Sequence, residues 1–303
     1  MKRRKHSPRL SEKRRAEIGV VGGTGLYAIE GLRDVHEVRV TTPFGRPSDA
    51  YVVGTLGGRR VAFLARHGRK HKLLPSEINF RANLYGFKKL GVRRLISVSA
   101  AGSMRQGIRP LDMVFPDQFL DRTHRRENTF FGGGVVAHIS FDRPTCPVLR
   151  RHLHRTAKRL RLRGHEGGAY LCIEGPQFST LAESKLFQSW GASVIGMTNL
   201  PEARLAREAE ICYATVALAT DYDCWKKGEA PVNIEQVIEN LKRCVQNAKR
   251  LIAGALRTFP ARWDCRCGSA LENAVLTAPE AVPPTARRRL RLLLPADFFT
   301  KRK

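Results

Sequence analysis

The stretch Ile18-Gly19-Val20-Val21-Gly22-Gly23-Thr24-Gly25 sets the reading of the chain. A short β-branched run reads as a buried strand, and it passes directly into a glycine-rich turn. Glycines there let backbone N–H groups approach an anion closely, and Thr24 adds a hydroxyl donor. The pattern is not G-x-G-x-x-G and no Gly-Lys-Ser/Thr follows, so dinucleotide and ATP-type loops are excluded. Taken alone, a plain tight turn is the simpler reading.

Working outward, strands are expected at 35–41, 50–55 and 60–65, the last two joined by a Gly57-Gly58 hairpin turn. Residues 76–90 read as a helix with Ser76 as its N-cap and Gly91 as its stop. A buried strand follows at 94–99 and ends in the small-residue turn Ala100-Ala101-Gly102-Ser103. Further strands are expected at 113–115, 169–173, 193–197 and 212–219, and helices at 147–161, 180–190, 201–210 and 233–257. Residues 121–147 read as a long loop, and a helix near 269–277 is a further candidate. Strands alternating with helices define an α/β layer structure.

The chain has 303 residues, 42% of them apolar, which is enough to build a core and excludes a disordered chain. No apolar run approaches the ~18 residues a membrane helix needs, and no signal peptide is recognisable. The odd count of seven cysteines does not look like a secreted disulfide scaffold, so the expected compartment is the cytoplasm. The net charge is +27. Residues 1–15 carry eight basic side chains and one acid, and residues 287–303 seven and one. Two readings follow: arms that bind nucleic acid, or solvated tails around a basic enzyme that handles an anion. The second is preferred, because the tails lack interleaved aromatics and no nucleic-acid-binding motif accompanies them.

Several strand ends carry chemistry. Arg66 and His67, in Ala65-Arg66-His67-Gly68-Arg69, offer donors for a phosphate, or else form a solvated basic loop. Ser99 and Ala100 sit at the next strand end, with close packing as the alternative role. Met197-Thr198-Asn199-Leu200-Pro201-Glu202 ends another strand. Thr220-Asp221-Tyr222-Asp223-Cys224-Trp225 places two acids at i and i+2; such carboxylates can act as acids, or can form an Asx turn. Cys265-Arg266-Cys267 does not have the spacing of paired zinc knuckles; it reads as two incidental thiols in preference to a thiol–disulfide pair, and no metal site is expected.

In this order the motifs resemble the purine nucleoside phosphorylase superfamily, in its trimeric and bacterial form. The blocks that carry the resemblance are 18–26, 42–49, 65–69, 75–83, 117–123, 173–179, 196–203 and 220–225, within residues 17–258. The resemblance implies a three-layer α/β/α fold with a mixed central sheet of partly barrel-like character, assembled as a homotrimer. It implies phosphorolysis of S-methyl-5′-thioadenosine to adenine and 5-methylthioribose 1-phosphate. Inorganic phosphate is then a co-substrate and no cofactor is needed. The alternative substrate is a 6-oxopurine nucleoside or methylthioinosine; more remote is a nucleic-acid-binding protein with an enzyme-like core. Asp at both 221 and 223 favours a 6-amino purine.

By residue, the resemblance assigns phosphate to Thr24, Arg66, His67, Ser99, Ala100 and Thr198. It assigns the ribose to Met197 and the base to Phe178 and Ser179. Asp221 and Asp223 match acids facing purine N7 and the 6-amino edge, with Asp221 as the proton donor. His138 matches a residue that reaches a neighbouring subunit's 5′ pocket, and Ile234 an apolar residue of that pocket. Residues 1–16 are expected to be a disordered basic tail, and 259–303 a C-terminal segment with a short helix and a basic end.

Overall fold

The computed structural model describes residues 11–23, 25–26, 28–226, 234–260, 263–295 and 298–299. At its centre lies β5 (Arg94–Ser103), flanked in parallel by β1 (Ile18–Gly22) and β11 (Cys212–Asp221). All five residues of β1 are buried, as a near-continuous apolar run in a parallel strand requires. On its far side β1 pairs with β4 (Arg59–Ala65), which continues through β3 (Tyr51–Leu56) to the edge strand β2 (Arg33–Val38). The β3–β4 hairpin turns at Gly57 and Gly58 with φ of +59° and +77°, the left-handed pair that a two-residue turn of this twist needs.

The expected turn at 100–103 does not form; β5 runs straight through it. Ala100, Ala101 and Gly102 continue the ladder to β11, while Gly102 and Ser103 pair antiparallel with β10 (Ala192–Gly196). Small side chains let β5 take a neighbour on each side there. The path continues through β9 (Ala169–Ile173) to β7 (Gln118–Arg122), and β11 carries a branch of β6 (Met113–Phe115) and β8 (Gly164–Glu166). Strands β7 and β8 were not expected; β7 overlaps the segment read as a loop. Among the described residues the mixed sheet does not close on itself, so its barrel-like character stops short of a barrel.

Helices cover both faces. One side holds α1 (Phe80–Leu90) and α4 (Asn199–Glu208), whose Phe87, Leu90, Leu200 and Ala203 join one core cluster. The other holds α2 (Pro147–Arg159) and α5 (Ile234–Arg257), contributing Leu149, Leu153, Leu251 and Ile252 to a second. Each of the buried Leu, Ile and Phe side chains contributes about 1.5–3 kcal/mol. The first helix starts later than expected. Asn79, not Ser76, is the N-cap, accepting from the Ala82 N–H at 3.0 Å, because Pro75–Glu77 form a separate 3-10 turn. Gly91 ends it with φ +92°. Helix α3 (Leu181–Ser189) begins with a capping box between Thr180 and Glu183.

Both ends depart from the tail reading where they are described. Ala16 is buried, and Arg60 donates to the carbonyls of Lys13 and Arg15. At the other end the helix is α6 (Pro284–Leu290), not 269–277. Leu271, Leu290, Leu293 and Leu294 are buried in the same core as α1 and α4, so residues 271–294 are packed structure. The basic side chains of 287–289 ride on the outside of an amphipathic turn, which composition alone reads as a tail.

Candidate functional site

A cavity of about 620 Å³ opens where β1, β4, β5, β10 and β11 end. Parallel strands deliver their C-terminal ends to one place, and α/β sheets hold ligands there. The residues expected to act together do line this cavity: Arg66, His67, Ser99, Ala100, Phe178, Ser179, Met197, Thr198, Asp221 and Asp223. Thr24 lies outside the described residues, as does the side chain of Ile234, which begins α5. His138 is exposed and does not line its own chain's cavity; its N–H donates to Ala274 O at 2.8 Å.

At one end the polar groups suit an anion. Ser99 Oγ lies 3.0 Å from Tyr170 OH and 3.2 Å from Thr198 Oγ1, a cluster of hydroxyls with rotatable protons. His67 is stacked on His71 with ring centres 4.2 Å apart. Its Nδ1 is 2.8 Å from Leu73 O, which fixes the proton on Nδ1. Burial, aided by the neighbouring Arg66 cation, lowers its pKa to about 4. The ring is therefore neutral at pH 7 and its Nε2 accepts. The sequence pointed to His67 as a donor to phosphate; with Nδ1 engaged by Leu73 O, the nitrogen left over, Nε2, is an acceptor in the neutral ring.

Arg66 also differs from expectation. Its bidentate fork closes on Glu202, with Nε 2.9 Å from Oε2 and Nη2 3.1 Å from Oε1. Nη2 also donates to Ser97 Oγ at 2.7 Å and Nη1 to Val98 O at 3.0 Å. Of the five guanidinium N–H groups, these contacts leave one, on Nη1, for a phosphate oxygen. Arg66 thus borders the anion end as a fixed positive charge with at most one donor to give.

At the other end stand two carboxylates. Asp221 accepts from Thr220 Oγ1 at 2.7 Å and from the Asp223 N–H at 2.8 Å. Asp223 is the more enclosed, held in the left-handed region at φ +52°, with Ser184 Oγ donating to it at 2.5 Å. Burial raises its pKa above the ordinary carboxylate value, against the hydrogen bond from Ser184. Burial thus favours the protonated form at Asp223, where the sequence pointed to Asp221 as the proton donor. Gly102 makes room for the pair: a Cβ there would meet Asp221 Oδ1 at 2.9 Å.

Met197, Phe178 and Ser179 line the same cavity, Ser179 beside the acid end, where its carbonyl accepts from Cys224 Sγ at 3.4 Å. Phe178 is 51% exposed, and Ser179 Oγ is buried without a hydrogen-bond partner among the described residues. Sequence reasoning missed Tyr170, Ser184 and the role of Glu202. Glu202 carried a signal, being an acid inside the block Asn199–Ala203 with apolar neighbours; Tyr170 and Ser184 carried none. Leu241 and Val245, one turn apart on α5, close the wall.

Fold and site define a class, and comparison with known proteins identifies it: the profile of the phosphorylase superfamily matches residues 17–257, and the chain belongs to that family. Within it, the chain is 53% identical to the S-methyl-5′-thioadenosine phosphorylase of Koribacter versatilis, over 95% of this chain and 98% of that one. It is 55% identical to the enzyme of the same name from Geobacter sulfurreducens, over 91% and 97%. A methylthioadenosine phosphorylase from an antarctic soil metagenomic library superposes with a TM-score of 0.90, at 45% identity, covering 93% of this chain and all 100% of that one. The Schistosoma mansoni methylthioadenosine phosphorylase in complex with adenine gives 0.80 at 32% identity, over 86% and 98%.

Proposed function

We propose that the chain catalyses phosphorolysis of S-methyl-5′-thioadenosine, a pentosyl transfer that yields adenine and 5-methylthioribose 1-phosphate. The observation that carries this is one cavity with an anion-suited end and a carboxylate end. A phosphate oxygen attacks C1′ as the C1′–N9 bond breaks, and the electron pair of that bond passes into the purine. Adenine leaves poorly as an anion, so a proton delivered at N7 lowers the barrier. The Asp221–Asp223 pair supplies it, burial of Asp223 favouring its protonated form. Ser99, Thr198, His67, Arg66 and the backbone at Ala100, with Thr24, hold phosphate beneath the sugar. Ser179 Oγ, buried and unpartnered among the described residues, and Phe178 receive the base. Met197 is assigned to the ribose, and the family resemblance gives Ile234 the 5′ pocket. Phosphate is the co-substrate, and the chemistry calls for no cofactor.

The active unit is proposed to be a homotrimer. His138 faces outward, next to exposed Val136 and Leu276, whose backbones pair at 2.9 Å. A neighbour that covers this apolar surface would bring His138 to its own 5′ pocket. No helix among the described residues is long and apolar enough to cross a membrane. A cytoplasmic setting is proposed, in keeping with seven cysteines of which none is paired in a disulfide.

A substrate panel with phosphate tests the reading: methylthioadenosine, adenosine, inosine and methylthioinosine. Adenine release from methylthioadenosine should give the highest kcat/KM. Preference for the 6-oxopurine substrates would overturn the assignment. Light scattering should give a trimer, and a fully active monomer would remove the role of His138.

A further inference from the structure

Four of the seven cysteines meet at a point far from the cavity. The Sγ atoms of Cys146, Cys212, Cys265 and Cys267 all lie within 4.8 Å of one another, with Cys212 and Cys265 3.4 Å apart. They come from three places in the chain. Cys146 is the N-cap of α2, Cys212 opens β11, and Cys265 and Cys267 follow α5. Four sulfurs at about 2.3 Å from a shared tetrahedral centre stand about 3.8 Å apart, which is the spacing class found here. Cys146, Cys212 and Cys267 are buried and Cys265 is partly exposed, so a path from solvent exists.

We propose that these four thiols form a structural site for a thiophilic divalent cation, zinc being the ion whose preferred ligand set this is. On loading, four S–H groups lose four protons and one M²⁺ enters, leaving a local charge of minus two. The surroundings accommodate that charge. Arg207 Nη1 lies 4.0 Å from Cys267 Sγ, and Cys146 heads α2, whose N-terminal partial charge favours a thiolate. The Cys146 N–H is itself held by Tyr213 O at 2.7 Å, which fixes that ligand's backbone beside Cys212. The spacing Cys-x-Cys hid the site, because only two of its ligands are close in sequence.

The site is a staple. It fastens the segment after α5 to the start of β11 and the head of α2. The same segment then pairs Val275 with Ala137 and receives the His138 N–H on Ala274 O. The cluster is at the start of β11 and Asp221 at its end, about 30 Å away along the strand, so the ion takes no part in chemistry at the cavity.

Metal analysis of the full-length protein, purified under reducing conditions and equilibrated with zinc, tests this. About one zinc per chain should remain after desalting, with four thiols unreactive until it is removed. Cobalt in its place should show the intense visible bands of a tetrahedral thiolate complex. Cys265→Ser/Cys267→Ser should lose the metal and lower Tm by roughly 5–15 °C, with kcat/KM within about twofold. Cys267→His, which keeps a ligand, should still bind zinc, and serves if the double variant does not fold. No stoichiometric zinc in the reduced wild type would overturn the proposal. So would an intact mass showing the four sulfurs as two disulfides in protein that cannot then be loaded after reduction.

Discussion

Arg66 and Glu202 form an ion pair sealed from water: Nε lies 2.9 Å from Oε2, with the two side chains 2% and 0% exposed. Ser97 Oγ and Tyr213 OH complete the carboxylate's shell at 2.7 and 2.9 Å. The pair joins the end of β4 to α4, and so holds the His67 loop against the Thr198 turn. Removing one partner leaves the other charged in a low-dielectric site, which costs about 3–5 kcal/mol. Glu202→Ala and Arg66→Ala should each destabilise by about that much, and the double variant by less than the sum. Denaturant unfolding of the four proteins measures it. Purely additive losses would show that the pair is not coupled.

Gly102 is needed for the shape of the acid end. An added methyl would lie 2.9 Å from Asp221 Oδ1 and 3.1 Å from Ile195 Cγ2. Gly102→Ala should therefore displace Asp221 and reduce kcat/KM by about tenfold or more. Unfolding midpoints alongside kinetics separate this from global loss: a variant equally stable and fully active would show that Asp221 tolerates the shift.

The sheet and its order of helices were legible because apolar runs of strand length alternate with amphipathic stretches such as 233–257. What was not legible depended on partners distant in sequence. The run Ala100–Ser103 looks like a turn by composition, yet two flanking strands extend it. The edge strand β7 has a partly exposed, mixed face and no apolar alternation to announce it. At the site, residue types at strand ends pointed to the right place. They did not reveal that Arg66 is engaged by an acid 136 positions away. Nor did they show which of two aspartates is buried, since that depends on Ser184 and on the course of the chain after β11.

Glu208 gives the stability a pH dependence. Burial raises its pKa from 4.5 to about 7, against hydrogen bonds from the Phe130 N–H and Thr129 Oγ1. The unfolded chain loses this proton near pH 4.5, while the folded chain holds it to about 7. Stability contributed by Glu208 therefore falls as pH rises across that window, and the loss is complete above it. Glu208→Gln should be more stable than wild type by about 1–3 kcal/mol at pH 8, with the difference shrinking toward pH 4. Its amide can accept from Phe130 and donate to Thr129. Thermal unfolding from pH 4 to 8 checks it, and a pH-independent difference would exclude the titration.

Asp223 and Ser184 supply a test of the proton donor that does not depend on destroying the site. The proposed reaction needs a protonated carboxyl in the Asp221–Asp223 pair, so activity should fall as pH rises past the raised pKa of Asp223. The Ser184 hydroxyl, 2.5 Å from Asp223 Oδ2, stabilises the ionised form. Ser184→Ala removes that donor, and the pKa moves up further. The alkaline limb of the kcat profile should then shift to higher pH, while a merely structural loss would lower the whole curve without moving it. Asp223→Asn should abolish the limb and cut turnover by about 10²–10⁴-fold, since an amide can bond N7 but cannot give it a proton. Asp221→Asn removes the carboxylate that accepts the Asp223 N–H, and should lower turnover while leaving an alkaline limb. If instead Asp221→Asn erases the limb and Asp223→Asn keeps it, the donor is Asp221 and Asp223 is its support. If neither variant changes the profile, protonation at N7 comes from elsewhere and the carboxylate end only shapes the pocket.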